Sequence, residues 1–575
     1  MIPHNAPPGN RLNQAMVGLR QWLAGRLATP VEALPLQRSN LAQLARSDAQ
    51  LPALVAACPV AMRYLHLLGP LDWEHFPERD PHRPWPGTPP APRAPYVAAY
   101  LIKLDQDKRY MSGLRRYLVE HPALVWVLGF PLVASQTSPW GFDVEASVPS
   151  RKQLGRVLRK LPNACLQFLL TSAVSMLQQE LPAEANFGDA VSLDTKHILA
   201  WVRENNPKDY VPERFNPDRQ PKGDPDCKLG CKRKRNRRAA EGNGGEGGNA
   251  PPAATASAAP TAPPAAPSTA AAAASSSPAT LASDPKPAST IEVGEYYWGY
   301  ASGVVATKVG DWGEFVLAEF TQTFDKGDAT YFFPLMKQVE ERLGHRPRYG
   351  ALDMAFDAHY VYQYFHEAGG FAAVPLAERG NTSRQFDAAG LPLCAAGLSM
   401  PLKGAFTCNS THVQHQRGRY VCPLLALKHK TKAGAADQSA EPGKTSQLAI
   451  VPQMFAVCPV DDAHWAKGGC VVTMPTSEGA RIRYQLDRQS EAYKTIYKQR
   501  TADERVNSQA LELGTPAPAL RSGACAGVER PKLRNEAAII NQNTLTYVLI
   551  NLRGLHRVQA RKAGLARQEQ PLTGR

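Results

Sequence analysis

The stretch "ALDMAFDAHYVYQYF", residues 351–365, closes a short apolar run on Asp353, adds a second carboxylate at Asp357 and continues in aromatic residues at helical spacing. It reads as a strand giving way to a helix. Either aspartate could cap the helix, and either could be a carboxylate held at a strand end for chemistry. Asp353 lies inside the apolar run, which favours it for the second role.

Strands and helices alternate around this stretch. "EYYWGYASGVVATKV" (295–309) and "EFVLAEFTQTF" (314–324) carry aromatic and β-branched residues in short runs and read as paired strands. "DATYFFPLMKQVEERLG" (328–344) opens on an Asp suited to N-capping and closes on Gly344, as a helix does, and "GFAAVPLA" (370–377) reads as a strand. Upstream, "AVSLDTKHILAW" (190–201) has the same grammar, a short strand carrying Asp194, with Asp189 just before it as a weaker substitute. Downstream, "EAYKTIYKQRTADERVNSQALELG" (491–514) reads as one helix, on which Tyr497, Arg500 and Glu504 share a face at about 100° per residue. The fold class is α/β, a strand-rich core with helices packed on it.

Two strand aspartates and a helix glutamate supply the charge that a pair of divalent cations needs for phosphodiester chemistry. The composition agrees with such a substrate. Among 575 residues, 66 Lys and Arg stand against 51 Asp and Glu, a net charge of +15 that favours a polyanion, nucleic acid first. A chain this long exceeds one ordinary core, so two or three domains are expected. The start "MIPHNAPPGNRLNQ" lacks the apolar region of a secretory peptide, and apolar runs such as "ALVWVLGFPLVA" (123–134) fall short of the roughly 20 residues that span a bilayer. A soluble cytoplasmic protein with no membrane partner is expected.

Before residue 185 the pattern is mostly helical. "SRKQLGRVLRKLPNACLQFLLTSAVSMLQQEL" (150–181) spaces Leu154, Val157, Leu158 and Leu161 helically with basic residues between them, until Pro162 interrupts. From 239 to 290 the chain is Ala, Pro, Ser, Gly and Thr, too poor in apolar side chains to offset its ordering entropy, and reads as a disordered linker. "CKLGCKRKRNRR" (227–238) precedes it, and Lys232, Arg233, Lys234 and Arg235 make a candidate phosphate-contacting arm. Cys394, Cys408, Cys422, Cys458 and Cys470, with His412, His415 and His464, could bind a structural Zn²⁺. Cys227 and Cys231 form a closer pair beside the basic run, and buried thiols are the alternative throughout.

"SLDTKHILAW", "ALDMAFDAHYVY" and "YKQRTADERVNSQ" resemble the three acidic blocks of DDE transposases of bacterial insertion sequences, in the group related to IS4 and IS1182, over roughly residues 190–555. The third block follows the family's Y-x2-R-x3-E pattern as Tyr497, Arg500 and Glu504; the family's lysine seven residues further on is Leu511 here. The resemblance implies an RNase H-like core in which Asp194, Asp353 and Glu504 hold two Mg²⁺ (or Mn²⁺) ions, cleavage at the element's ends and strand transfer into target DNA. Tyr497 and Arg500 would grip terminal phosphates, and a homodimer would hold two ends in a nucleoid-associated complex. The implied layout is a helical DNA-binding domain over 1–185, core segments at 186–238, 291–377 and 481–558 around the 239–290 linker, a strand-rich insertion at 378–480 and a basic tail at 559–575. Two alternatives share these features: a catalytically degenerate end-binding protein, and an RNase H-fold nuclease without strand transfer.

Overall fold

The computed structural model describes residues 31–37, 39–46, 49–80, 84, 86, 91–232, 295–377, 385–394, 397–409, 413–423, 471–513 and 530–569. The chain divides into one unit of residues 1–230 with 298–575 and a second of 231–297. The described residues of the second unit are the ends of two strands. The 239–290 segment, and Arg233, Lys234 and Arg235, lie outside the described residues.

The first part of the large unit is helical: α1 Pro59–Leu68, α2 Ala94–Asp105, α3 Met111–Glu120, α4 Arg151–Lys160 and α5 Asn163–Glu180. Ser150 caps α4 through the Gln153 amide at 3.2 Å, Leu154 and Leu158 form its buried stripe, and the basic Arg159 and Lys160 close its last turn, where a cation suits the helix dipole. There follow β1 Ala190–Leu199, β2 Lys228–Lys232, β3 Glu295–Val309, β4 Gly313–Thr323, α6 Phe332–Leu343, β5 Tyr349–Leu352, α7 His359–Glu367 and β6 Phe371–Ala373. The rest comprises β7 Leu402–Cys408, β8 His415–Val421, β9 Val471–Pro475, α8 Glu478–Gln485, α9 Glu491–Tyr497, α10 Thr501–Glu512 and α11 Glu536–Glu569.

These elements make a curled, mixed sheet in the order β2-β3-β1-β5-β6, with β4 also paired to β3. The long strand β3 runs antiparallel to both of its neighbours, β1 and β4, whereas the short β5 and β6 run parallel to β1. Antiparallel neighbours need only a turn between them; the parallel strands require crossovers, which α6 and α7 supply. Gly350 lets α7 sit directly on β5, because a Cβ there would come within 2.3 Å of the Phe365 ring. A separate three-stranded sheet, β7-β8-β9, falls within residues 378–480.

The helical part shares one core with the sheet rather than standing alone. Leu101, Leu124, Leu158 and Leu169 belong to the same buried cluster as Val304 and Val316 of the sheet and Leu545 and Leu549 of α11. Polar contacts stitch the same layers together. Asp105 of α2 accepts from Arg63 at 2.7 Å and Tyr64 at 2.8 Å of α1, and from Arg553 of α11 at 2.7 Å. Glu319 of β4, fully buried, accepts from Gln167 at 2.9 Å, Asn543 at 3.1 Å and the Thr544 hydroxyl.

The final helix runs to Glu569, beyond the residue 558 expected from the apolar and Asn positions, and residues 560–565 are solvent-exposed. Asn551 shows what those Asn positions do. Its side chain donates to the Val316 carbonyl at 2.7 Å and accepts from the Val316 amide at 2.8 Å, beside the irregularity where β3 and β4 slip register at Val305/Ala306. Asn551→Ala leaves two buried backbone groups unpaired, so it should cost about 2–6 kcal/mol at about 1–3 for each group; a urea unfolding curve superposing on wild type would refute this. Among the described residues no helix is long and apolar enough to cross a membrane.

Candidate functional site

Strands β1 and β5 run in parallel register up to Leu193↔Leu352, where β5 ends. The next residue on each is an aspartate. Asp194 and Asp353 are thereby brought side by side at the carboxyl end of β5, the kind of strand-end crevice where open α/β sheets bind ligands. β1 continues past this point with Asp194 opposite Val304 of β3. Asp194 accepts from the Thr195 amide at 2.9 Å, and Asp353 accepts from the Ala355 amide at 2.7 Å, capping the turn Met354–Phe356.

Burial pushes Asp194 up to about 6; the carboxylates of Asp353 and Asp328 add to the rise, and the Thr195 amide and Arg500 oppose it. Asp353 is raised as well, by burial first and then by Asp328, against the Ala355 amide and Arg500. The folded state holds the Asp194 proton more tightly than the unfolded chain, so stability falls as pH rises from about 4 through about 6. Asp194→Asn should remove that part of the pH dependence in metal-free protein. Parallel thermal-midpoint profiles for wild type and variant over this range would contradict it.

The third block departs from the single helix expected over 491–514. α9 ends at Tyr497, residues 498–500 form a 3-10 turn, and α10 begins at Thr501. The backbone stays right-handed throughout, but three residues at about 120° rather than 100° turn the face beyond them by about 60°. Tyr497 stacks on Tyr493, centroids 5.8 Å apart and planes 13° apart. The 498–500 turn packs against β1 and β5, so the charge of Arg500 reaches both aspartates. Glu504 remains on the exposed side of α10, and its carboxylate is held by Arg500 at 2.7 Å.

The remaining aspartates differ sharply in what occupies them. Asp357 is bound by both guanidinium nitrogens of Arg483, one at 2.7 Å, by the Tyr362 hydroxyl at 2.8 Å and by the Ala377 amide at 2.7 Å, and its side chain is 1% exposed. Every acceptor direction is spent on anchoring α8 to α7. Asp189 is likewise taken, by a two-pronged pair with Arg348 at 2.7 and 2.8 Å. Asp328, which the sequence suggests only as a helix cap, opens a 3-10 turn ahead of α6 and accepts from Thr195 at 2.9 Å.

Asp503 was not legible in the sequence as a site residue at all. It is fully buried, and neither carboxyl oxygen has a hydrogen-bond partner. Burial, with the charges of Asp194 and Glu504, raises it well above the ordinary carboxylate range. The Ser192 hydroxyl donates to the Ala306 carbonyl at 3.4 Å.

Asp194 and Asp353, with Asp328 close enough to raise both, suit a divalent cation by their unbalanced charge. Glu504 does not join them, and among the described residues no three His, Cys, Asp or Glu side chains converge to hold a metal ion. Of the proposed zinc ligands, Cys458, Cys470, His412 and His464 lie outside the described residues. Cys227 is a buried thiol pushed up to about 12 by burial and by Asp224, and its Sγ donates to the Asp224 carbonyl at 3.2 Å. Lys232 ends β2. No family model, curated protein or solved structure matches the chain.

Proposed function

We propose that the chain is a DDE transposase with an RNase H-like core, cutting DNA at insertion-sequence ends and joining them to target DNA. The observation that carries this is the register of β1 and β5, which puts Asp194 and Asp353 on adjacent strands at one strand end. Three antiparallel strands followed by two parallel ones, with the first strand central, support the RNase H-like part of the reading. Asp194 and Asp353 would hold the divalent cations beside Asp328, and bound Mg²⁺ supplies activation of a water or 3′ hydroxyl and neutralisation of the leaving oxygen. Arg500, in the turn packed against β1 and β5, would take a DNA phosphate, which would free Glu504 from its ion pair to turn toward the aspartates. Tyr497, stacked on Tyr493, would add a phosphate contact from its hydroxyl.

The second reading is a degenerate end-binding protein, favoured by the Arg500–Glu504 pair that keeps the third carboxylate from the other two. Joining separates the readings. A pre-cut element end, incubated with supercoiled plasmid and Mg²⁺, should become covalently attached to the plasmid. Nicks without attachment would make the chain a nuclease, and binding with neither would make it degenerate.

A further inference from the structure

Beyond the end of β1 the structure gathers cations from separate parts of the chain around one indole. The Lys532 ammonium lies 4.9 Å, and the Arg534 guanidinium 5.0 Å, from the centre of the Trp201 ring. Arg109 and Arg530 crowd the same place, since both lower the affinity of Lys532 for its proton, in addition to burial. Stacking on an aromatic face positions a cation without cancelling its charge. Among the described residues no carboxylate pairs with Arg109, Arg530, Lys532 or Arg534, and Arg109 Nε is buried with no hydrogen-bond partner.

These side chains border open space. A cavity of about 320 Å³ is lined by Trp201, Arg203, Asn205, Arg530, Lys532 and Arg534. Its one carboxylate, Asp209, is engaged by Arg203 at 3.6 Å. The neighbouring hollow of about 580 Å³ shares Arg203 and Arg534 but carries its own acids, Glu204, Glu213 and Asp218. The unmatched positive charge is therefore concentrated in the first cavity, whose single carboxylate is already paired.

We propose that this cleft binds the phosphodiester backbone of a DNA strand, at a place separate from the aspartate pair. Several cations spread along an open cavity match a run of phosphates better than a single small anion, which one or two would satisfy. β1 covers about 17 Å between Asp194 and Leu199 at roughly 3.3 Å per residue. That is about five base-pair steps of duplex, so one DNA molecule reaching Asp194 can extend to the cleft. The choice of DNA as the polyanion rests on the transposase reading; the cation cluster does not.

The test is binding without divalent metal, so that failure to cut has no bearing on it. Wild type and Lys532→Gln/Arg534→Gln would be titrated with a fluorescein-labelled duplex of arbitrary sequence in EDTA, over about 50 to 300 mM salt. The double variant should bind at least about tenfold more weakly, and its slope of log affinity against log salt should shrink by about two. Arg46→Gln/Lys337→Gln, the same charge loss at exposed positions elsewhere, should change neither. Unchanged affinity and slope in the Lys532/Arg534 variant would overturn the proposal. So would a wild type whose thermal midpoint rises with inorganic phosphate while its DNA affinity is insensitive to the double substitution, since that describes a small-anion site. If the double variant does not fold, Arg530→Gln carries the same comparison with an expected slope change of about one. A wild type that binds DNA through these residues yet never cuts it supports the cleft and removes the transposase reading.

Discussion

Asp353→Asn is expected to lose Mg²⁺-dependent DNA cleavage by more than about 100-fold, since removing even an outer-shell partner of a metal ligand costs 10- to 100-fold. The same substitution should leave the fold intact. Asparagine keeps an oxygen that can accept from the Ala355 amide, so the cap of the Met354–Phe356 turn survives. It also removes a charge that burial and Asp328 already disfavour, so folded-state stability at neutral pH should not fall. Cleavage rates and urea midpoints measured on the same preparation check both halves. A midpoint that drops in step with activity would make Asp353 a structural cap and nothing more.

Asp357→Ala is expected to do the reverse, costing about 3–5 kcal/mol of stability, as breaking one partner of a buried ion pair does. The Arg483 side chain, 15% exposed, would be left without its carboxylate, and the Tyr362 hydroxyl and Ala377 amide would each lose an acceptor. Cleavage per folded molecule, measured at low temperature, should fall far less than in Asp353→Asn. The two aspartates sit four residues apart in one short stretch; Asp357 is committed to scaffold contacts, and the proposed function leaves the chemistry to Asp353. Equal midpoints for Asp357→Ala and wild type would mean that the Arg483 pair is not holding α8 in place.

That division shows what the sequence could and could not carry. The apolar run before Asp353 and the matching run before Asp194 are local signals, and local register follows from them once the strands pair. What occupies Asp357 comes from Arg483, 126 residues away, and no pattern near residue 357 announces it. The break at 498–500 was equally hidden, because every residue there keeps right-handed helical angles and only the hydrogen-bonding pattern tightens. Asp503 looked like one more charge in a polar helix; its burial depends on α10 lying against β1 and β4. The separate N-terminal domain expected from helical content becomes part of a shared core, since its apolar stripes face α11 and the sheet. The cluster around Trp201 draws on residues near 109, 201 and 530–534, so charge-run analysis found the basic arm at 232–235 and missed it.

On the proposed function, Asp194 and Asp353 direct metal-dependent cutting of DNA. The most direct test is to incubate wild type with Mg²⁺ and a linear duplex carrying the DNA that flanks its own coding sequence, and to map the new ends, with Asp194→Asn alongside. Wild type should produce a new 3′ hydroxyl at one discrete position, and Asp194→Asn none. A wild type that binds this duplex and leaves every strand whole, with Mg²⁺ or Mn²⁺, would contradict the proposed function.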